Sequence, residues 1–287
     1  FVRGDALRIN ELYDAFDKAD GVFAVAGFLG MPMAANPWLG IDVNVRGLQN
    51  ILEASRYQQV KKVVFSSSAS IYDVVPGFVV DEQAPLAPTS PYARTKYMME
   101  MVLKDFSHAY NLKAIALRYF NPIGADPKMR SGIHVQNPSH VLGKLVAVAM
   151  GEEPVFNLTG VDWPTRDGSG IRDYIHVWDL ARAHLNAVER FDQVIAEAAE
   201  PETQYCVINL GTGKGVTVKE LVAAFERVYG KPVPVSIQPP RPGDVAGAYA
   251  NADKAERLLG WKAELPIEQG IADALKWGQI RETILDY

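Results

Sequence analysis

The stretch Lys62-Val63-Val64-Phe65-Ser66-Ser67-Ser68-Ala69-Ser70 decides the fold of this chain. Its three consecutive apolar residues form a run of the kind that becomes a strand buried on both faces. Similar runs occur at residues 21–26, 114–119 and 205–210. Amphipathic helical stretches alternate with them, at residues 44–56, 92–110 and 177–190. This alternation predicts an α/β fold in which helices cover both faces of a parallel sheet.

The serines that end the first of these runs are candidates for chemistry. The carboxyl ends of strands are where such sheets present functional groups to ligands. Ser66, Ser67 and Ser68 follow the apolar run directly. A polar loop or a helix cap would use the same residues, so the serines alone do not indicate a site.

Tyr92 and Lys96 lie four residues apart in the segment SPYARTK, residues 90–96. On a helix they share one face, one turn apart. A lysine ammonium beside a phenol lowers the tyrosine pKa, and such a tyrosine can act as a general base near neutral pH. With 12 tyrosines in the chain, the spacing also fits an ordinary surface pair. Combined with the serine cluster, the pattern favours Tyr92 and Lys96 as a catalytic pair beside these hydroxyls.

Composition excludes several classes of function. The 287 residues are 48% hydrophobic, enough for a large core. The net charge of −5 and the scattered basic residues argue against a nucleic-acid partner. No apolar run reaches membrane-spanning length, so we expect no membrane association. Cys206 is the single cysteine and cannot form an internal disulfide, which favours a reducing, cytoplasmic location.

The second half of the chain predicts a smaller domain over the carboxyl ends of the sheet. Residues 122–170 are rich in Gly, Pro, Asn and Asp, with one helix at residues 141–150. A capping box at Thr217 and Glu220 marks a later helix start. The GTGKG at residues 211–215 lacks the spacing of a phosphate-binding loop, so a strand-to-helix turn is favoured. His176 and His184 have no third ligand grouped nearby, so we expect structural histidines and no metal site.

Longer motifs resemble one family. SSSASIY followed by SPYARTK resembles the extended short-chain dehydrogenase/reductases. RYFNPIGADP, WPTRDGSGIRDYIHVWDLARAH, NLGTGKGVTVKEL and RPGDVAGAYANADKAERLLGW are similar to the UDP-glucose 4-epimerases within that family. The resemblance implies a Rossmann-type doubly wound sheet that binds NAD, at residues 1–122 and 172–212. It implies a smaller α/β domain for the nucleotide sugar at residues 123–171 and 213–287.

The resemblance also implies the site residues. Ser68 would bond the sugar 4-hydroxyl, Tyr92 would be the base, and Lys96 would hold the nicotinamide ribose. The implied cofactor-binding set is Asp5, Ala6, Val25, Ala26, Gly27, Asn44, Ser66, Tyr92, Lys96, Tyr119 and Phe120. The implied substrate-binding set is Ser68, Tyr92, Asn121, His140, Val141, Asn157, Leu158, Thr159, Arg172, Arg241, Asp244 and Ala248. An arginine fork suits a diphosphate, although Arg172 could instead pair with Asp173 and Arg241 could be a plain loop residue.

Several positions depart from the family pattern. The glycine-rich dinucleotide fingerprint is absent, and residues 1–5 look like the family's third strand. We therefore expect the sequence to be partial, with the first βαβ unit, which carries the pyrophosphate-binding turn, preceding Phe1. No lysine follows two residues after Gly27, Asp73 stands where glycine is usual, and Ser139-His140 replaces an asparagine pair. These changes do not alter the type of reaction that the resemblance implies, but they could change which substrate the protein accepts.

The function that the resemblance implies is inversion of C4 of a UDP-hexose through a transient 4-keto sugar, with NAD as cofactor. One alternative is a 4-epimerase acting on UDP-pentoses or UDP-uronates. A dehydratase would need an acid/base pair where this chain has Ala69 and Ser70. A non-catalytic NAD-binding relative is the third alternative.

Two finer expectations complete the sequence reading. Apolar residues on the helices at 44–56 and 92–110 exceed what packing on one sheet needs, which predicts a homodimer through a four-helix contact, as in relatives. They are Leu48, Ile51, Leu52, Met98, Met99, Met101, Val102, Leu103 and Phe106. In related epimerases the position of Ala248 lies at the pocket wall beside the sugar C2 substituent. A small residue there would admit UDP-GlcNAc and UDP-GalNAc as well as UDP-glucose and UDP-galactose.

Overall fold

Strands and helices alternate along the chain. The structure is a computed structural model that describes residues 1–241 and 243–285. Its strands are β1 (Gly21–Ala24), β2 (Lys62–Ser68), β3 (Val79–Val80), β4 (Ala114–Tyr119), β5 (Asn121–Ile123), β6 (Phe156–Thr159), β7 (Ile171–Arg172), β8 (Tyr174–His176), β9 (Tyr205–Leu210), β10 (Val216–Thr217), β11 (Val235–Gln238) and β12 (Gly247–Ala250). Its helices are α1 (Ile9–Ala15), α2 (Gly30–Ala35), α3 (Pro37–Ile41), α4 (Gly47–Tyr57), α5 (Pro91–Tyr110), α6 (Val141–Ala149), α7 (Val177–Glu189), α8 (Phe191–Ala198), α9 (Val218–Tyr229), α10 (Asp253–Leu259) and α11 (Ile267–Ile284). A π-helical turn, Asp42–Arg46, leads into α4.

The main sheet has the strand order β1-β2-β4-β9, and each neighbouring pair is parallel. Alternation along β2 sends its apolar side chains to opposite faces. Val64 packs with residues of α7, α8 and α10, while Phe65 packs with residues of α4 and α5. Both are completely buried. The prediction of a parallel sheet covered on both faces is confirmed.

A second core lies beyond the sheet. Buried apolar residues of α6, α9, α11 and β6 form it, with Phe156 and Phe225 among the large side chains. The predicted capping box is present: Glu220 N donates to Thr217 Oγ1 at 3.2 Å, and Thr217 N donates to the Glu220 carboxylate at 2.9 Å. Three small sheets join the remaining strands, in the orders β10-β7-β12-β3, β11-β6 and β5-β8.

Helix α5 places the predicted Tyr/Lys pair. Ser90 caps it by accepting a hydrogen bond from Ala93 N at 3.1 Å, and Pro91 occupies the first helical position, where its missing N–H costs nothing. The helix ends at Asn111, whose φ of 56° breaks the helical path. Tyr92, Lys96 and Glu100 follow one another at four-residue spacing on the sheet-facing side.

A buried ion pair lies behind the carboxyl ends of the strands. Arg118 on β4 donates to both carboxylate oxygens of Glu100, at 2.7 and 2.9 Å. It also donates to the hydroxyl of Tyr72 at 2.8 Å, and Ser67 donates to Glu100. Burial raises the pKa of Tyr72 to about 12, against the lowering effect of Arg118. The network joins α5 to the segment that follows β2.

The outer face of α5 carries exposed apolar residues, whereas the large apolar residue that α4 exposes is Tyr57, at its last position. Met98 and Met101 are exposed, while Met99 and Leu103 pack in the core. The expectation that α4 offers a spare apolar stripe is wrong, because Leu48, Ile51 and Leu52 all pack against the sheet. The neighbouring short helix α3 exposes Trp38 instead, with 82% of its surface accessible.

Two further features concern the apolar character of the helices and the single cysteine. Within the described ranges, none of the helices combines the length and apolar character needed to span a bilayer. Cys206 is a free, buried cysteine in β9, and burial raises its pKa to about 11.

Candidate active site

The predicted catalytic side chains meet at the carboxyl end of β2. Ser68 is the last residue of that strand and lies beside Tyr119, the last residue of β4. The Tyr92 hydroxyl reaches it from the start of α5. Burial raises the pKa of Tyr92, and nearby Tyr119 adds to this effect, while the hydrogen bond with Ser68 lowers it.

Lys96 supplies positive charge one turn along the same helix. Its Nζ lies 5.8 Å from the centre of the Tyr92 ring and donates to the backbone oxygen of Ser66 at 2.7 Å. Burial lowers the pKa of Lys96 to about 8, while Glu100 raises it. An ammonium at this position favours the phenolate form of Tyr92, so the set can exchange a proton with a ligand hydroxyl.

The residues after β1 leave room for a ligand beside Lys96. A Cβ added at Gly27 would lie 3.6 Å from Lys96 Nζ and 3.5 Å from Asn44 Oδ1. The Lys96 ammonium has three protons, and its bond to Ser66 uses one. The other two Lys96 protons, next to Gly27, can donate to the ribose hydroxyls of a nicotinamide dinucleotide. The site therefore fits NAD.

Asn44 holds this segment in place. Its Oδ1 accepts from Phe28 N at 2.6 Å, and its Nδ2 donates to Phe28 O and to Thr95 Oγ1, each at 3.1 Å. Because its polar atoms are engaged by protein, the fully buried side chain positions the segment after β1. The prediction that Asn44 takes part in binding the cofactor stays a prediction.

The other residues predicted at the cofactor lie along the same edge. Asp5 accepts from Leu7 N at 2.9 Å, and the Ala6 carbonyl accepts from Asn50 Nδ2 at 2.9 Å, which ties this turn to α4. Val25 is 55% exposed, and Ala26 beside it is also exposed. Their surfaces are open to a ligand.

Three adjoining cavities lie over the carboxyl ends of the strands. The largest, about 710 Å³, is lined by Ser68, Tyr92, Tyr119 and Phe120. A second, of about 590 Å³, has His140, Val141, Asn157, Thr159, Arg172, Arg241 and Asp244 in its wall. A third, of about 310 Å³, contains Ser68, Arg172, Asp244 and Ala248. Asn121 lines all three, so they form one continuous cleft.

Two arginines give the second cavity its chemistry. Arg172 Nη1 donates to the backbone oxygens of Ile171 and Ala246, both at 2.7 Å, and burial lowers its pKa. Arg241 Nε lies 3.2 Å from the Asp244 carboxylate. The alternative of an Arg172–Asp173 ion pair is wrong, because Asp173 accepts instead from backbone N–H groups of Thr212, Gly213 and Ala250. Two guanidinium groups in one cavity suit a diphosphate.

The side chains of two predicted site residues point away from the cleft. That of Leu158 packs in the second core, because alternation along β6 sends Asn157 and Thr159 outward. The hydroxyl of Ser66 lies 3.1 Å from His184 Nε2. The sequence reading missed Trp163, which lines the second cavity, although the WPTRDGSG motif contains it.

The described residues also bear on metal binding. Within residues 1–241 and 243–285, no three His, Cys, Asp or Glu side chains group closely enough to hold a metal ion. His176 instead bonds Asp273 at 3.0 Å and caps α7.

Comparisons with known proteins agree with this geometry. The model of the NAD dependent epimerase/dehydratase family matches residues 1–207. The UDP-glucose 4-epimerase of Bacillus subtilis (strain 168) is 42% identical over 274 residues, covering 93% of this chain and 78% of that protein. A bifunctional UDP-glucose 4-epimerase and UDP-xylose 4-epimerase of Pisum sativum is 37% identical over 285 residues, covering 97% and 79%.

A solved structure extends the likeness to three dimensions. The UDP-glucose 4-epimerase from Bifidobacterium longum, crystallised with NAD+ and UDP, superposes with a TM-score of 0.90 at 34% identity. The match covers 99% of this chain and 84% of that one, and with the parallel sheet it establishes the Rossmann-type fold. The chain belongs to the NAD dependent epimerase/dehydratase family.

Proposed function

We propose that the protein is an NAD-dependent epimerase that inverts C4 of a UDP-hexose through a transient 4-keto sugar. The observation that carries this proposal is the meeting of Ser68, Tyr92 and Lys96 in a cleft that continues into the arginine-lined cavity. A nucleotide sugar could place its sugar beside Ser68 and Tyr92 and its diphosphate in the cavity lined by the two arginines.

The chain's own residues then have defined roles. Tyr92 takes the proton of the sugar 4-hydroxyl and later returns it, and Ser68 bonds the same hydroxyl. Lys96 keeps the phenolate accessible by its charge. NAD, when bound, accepts hydride from C4 and gives it back to the other face. Orientation and tuning of the tyrosine pKa are what the protein contributes.

We also propose which residues bind each ligand. For the cofactor they are Asp5, Ala6, Val25, Ala26, Gly27, Asn44, Ser66, Tyr92, Lys96, Tyr119 and Phe120. For the nucleotide sugar they are Ser68, Tyr92, Asn121, His140, Val141, Asn157, Leu158, Thr159, Arg172, Arg241, Asp244 and Ala248. Residues 1–122 with 172–212 and residues 123–171 with 213–287 form the two functional domains of this proposal.

The wall at Ala248 sets substrate breadth in this proposal. A Cβ at Gly247 would lie 1.8 Å from the Ile171 carbonyl oxygen, so only glycine lets β12 approach β7 this closely. Ala248, which pairs with Arg172 of β7, lines the cavity that also contains Ser68. Its methyl group leaves room for a 2-acetamido substituent, so both UDP-hexose pairs should be substrates.

Two alternatives raised by the sequence, a UDP-pentose substrate and a dehydratase reaction, can be distinguished from this proposal. The pea relative is named for UDP-xylose as well as UDP-glucose, so a UDP-pentose belongs in any substrate panel. Ala69 and Ser70 follow Ser68 where a dehydratase would need acid/base groups, which argues against elimination.

The proposal extends to assembly and location. A two-fold dimer would cover Met98 and Met101 of α5, together with Trp38 of α3. A cytoplasmic location follows from the single buried cysteine, which has no disulfide partner in these 287 residues.

Tyr92→Phe tests the reaction. The change keeps the ring and removes the proton acceptor, so turnover of UDP-glucose should fall about 10²–10⁴-fold. The UDP dissociation constant, measured by calorimetry, should change little. Tyr97→Phe on the same helix is the matched control and should keep full activity. Near-normal turnover by Tyr92→Phe, or none by the parent on hexoses and pentoses alike, contradicts the proposal.

A further inference from the structure

His184 on α7 lies directly behind the cleft. Its Nδ1 is 2.8 Å from the Leu180 carbonyl oxygen, and its Nε2 is 3.1 Å from Ser66 Oγ. A carbonyl can only accept a hydrogen bond, so Nδ1 carries the proton. Burial lowers the pKa of His184, so the ring is neutral near pH 7 and Nε2 is an acceptor.

This tautomer fixes the direction of the hydrogen bond to Ser66. Ser66 must donate its one hydroxyl proton to His184 Nε2. The bond therefore fixes the orientation of the Ser66 side chain within the buried strand β2.

Ser66 holds an active-site group through its backbone. Its carbonyl oxygen accepts from Lys96 Nζ at 2.7 Å. The hydroxyl of this buried residue thus bonds His184, and its carbonyl bonds Lys96. A shift of Ser66 would displace Lys96.

We propose that His184 is a positioning residue that, through Ser66, orients Lys96 for the reaction. The inference rests on the proposed function only in that turnover is used to test it. The directions of the hydrogen bonds follow from the geometry. The competing explanation is packing: the His184 ring lies 6.1 Å from the Phe23 ring and 6.3 Å from the Tyr119 ring, centre to centre. Packing and hydrogen bonding respond differently to substitution.

Three substitutions of His184 separate the two explanations. His184→Gln places a carbonyl oxygen near the position of Nε2 and should keep turnover within about threefold of the parent, because the acceptor for Ser66 survives. His184→Asn keeps a donor for Leu180 but is too short to accept from Ser66. His184→Phe keeps the ring alone. Both should lose turnover by about 10- to 100-fold with KM little changed.

Ser66→Ala completes a double-mutant cycle. It should cause the same loss as His184→Phe, and the two changes together should cost no more than either alone, because they break one chain. Thermal unfolding of each variant verifies that it is folded. Full activity of His184→Phe with loss in His184→Gln would show that the ring acts by packing and would overturn the proposal.

Nitrogen NMR of the parent protein labelled in histidine supplies a readout independent of activity. The His184 resonances should show a protonated Nδ1 and an unprotonated Nε2 at neutral pH. The opposite tautomer, or a charged ring, would overturn the inference even if the enzyme turns over. A parent without turnover but with the expected tautomer would instead contradict the proposed function. In that case the position of Lys96 in His184→Phe, read by side-chain NMR, would decide, and an unshifted Lys96 would overturn the inference.

Discussion

Replacing Lys96 with methionine should stabilise the protein at neutral pH while impairing catalysis. Lys96 is only 3% exposed, and burial lowers its pKa from 10.5 to about 8. Glu100 opposes this shift but is itself paired with Arg118. A lowered lysine pKa means that the folded state disfavours the charged form, so the charge carries a stability cost at pH 7.

The size and sign of that cost follow from linkage. The gap between 10.5 and about 8 corresponds to about 3 kcal/mol, at about 1.4 kcal/mol per pH unit. Below pH 8 the lysine is charged in both states and the folded protein bears the full cost. Between about pH 8 and 10.5 only the unfolded state keeps the proton, so stability rises with pH. Methionine avoids the cost but loses the bond to the Ser66 carbonyl, about 1 kcal/mol.

The free energy of unfolding of Lys96→Met should therefore exceed that of the parent by about 2 kcal/mol at pH 7. The advantage should shrink with rising pH and vanish at about pH 10. Urea unfolding followed by circular dichroism at pH 7, 8.5 and 10 measures it. Lys104→Met, an exposed site on the same helix, is the control and should shift stability by about 0.5 kcal/mol or less. A less stable variant at pH 7, or a pH-independent difference, would refute the reasoning.

Three other predictions concern stability, substrate and assembly. Arg118→Met should lower the free energy of unfolding by about 3–5 kcal/mol, because it strands the buried Glu100 carboxylate. Adding Glu100→Leu should recover most of the loss in urea unfolding. Ala248→Tyr should suppress UDP-GlcNAc turnover while sparing UDP-glucose; equal losses, or a parent inactive on UDP-GlcNAc, would contradict the steric argument. Light scattering at micromolar concentration should show a dimer that Met101→Asp dissociates and Leu185→Asp does not, and a monomeric parent would rule the dimer out.

Much of the fold could be predicted because its signals are local. Continuous apolar runs such as Val63 to Phe65 become strands of a parallel sheet, which is buried on both faces and needs no alternation. The helix caps at Ser90 and Thr217 are also local, since each involves atoms three residues apart. The pair of Tyr92 and Lys96 beside a serine cluster was predicted for the same reason: two short motifs follow strand and helix boundaries that the sequence marks clearly. The choice of Ser68 among the serines came from the family resemblance.

The remainder depends on contacts that no local pattern contains. Asp173 stands next to Arg172 in the sequence, yet it bonds Thr212, which follows β9, and Ala250 of β12. Only the folded sheets bring these residues to it. The direction of Leu158 follows from the register of β6, which its four residues alone do not fix. His184 pairs with Ser66 across 118 positions, so its role required the packing of α7 on the sheet.

The reactivity of the buried cysteine should report on opening of the main sheet. Cys206 lies in β9 with no exposed surface, and its thiol pKa of about 11 leaves little thiolate at neutral pH. A thiol reagent can reach it only when β9 separates from β4 and from the helices above. The labelling rate therefore measures how often the central sheet opens, without any engineered probe. The 287 residues contain no other cysteine, so all labelling occurs at Cys206. If added NAD or UDP slows the labelling of Cys206, the ligand binds the folded protein and stabilises the sheet against opening.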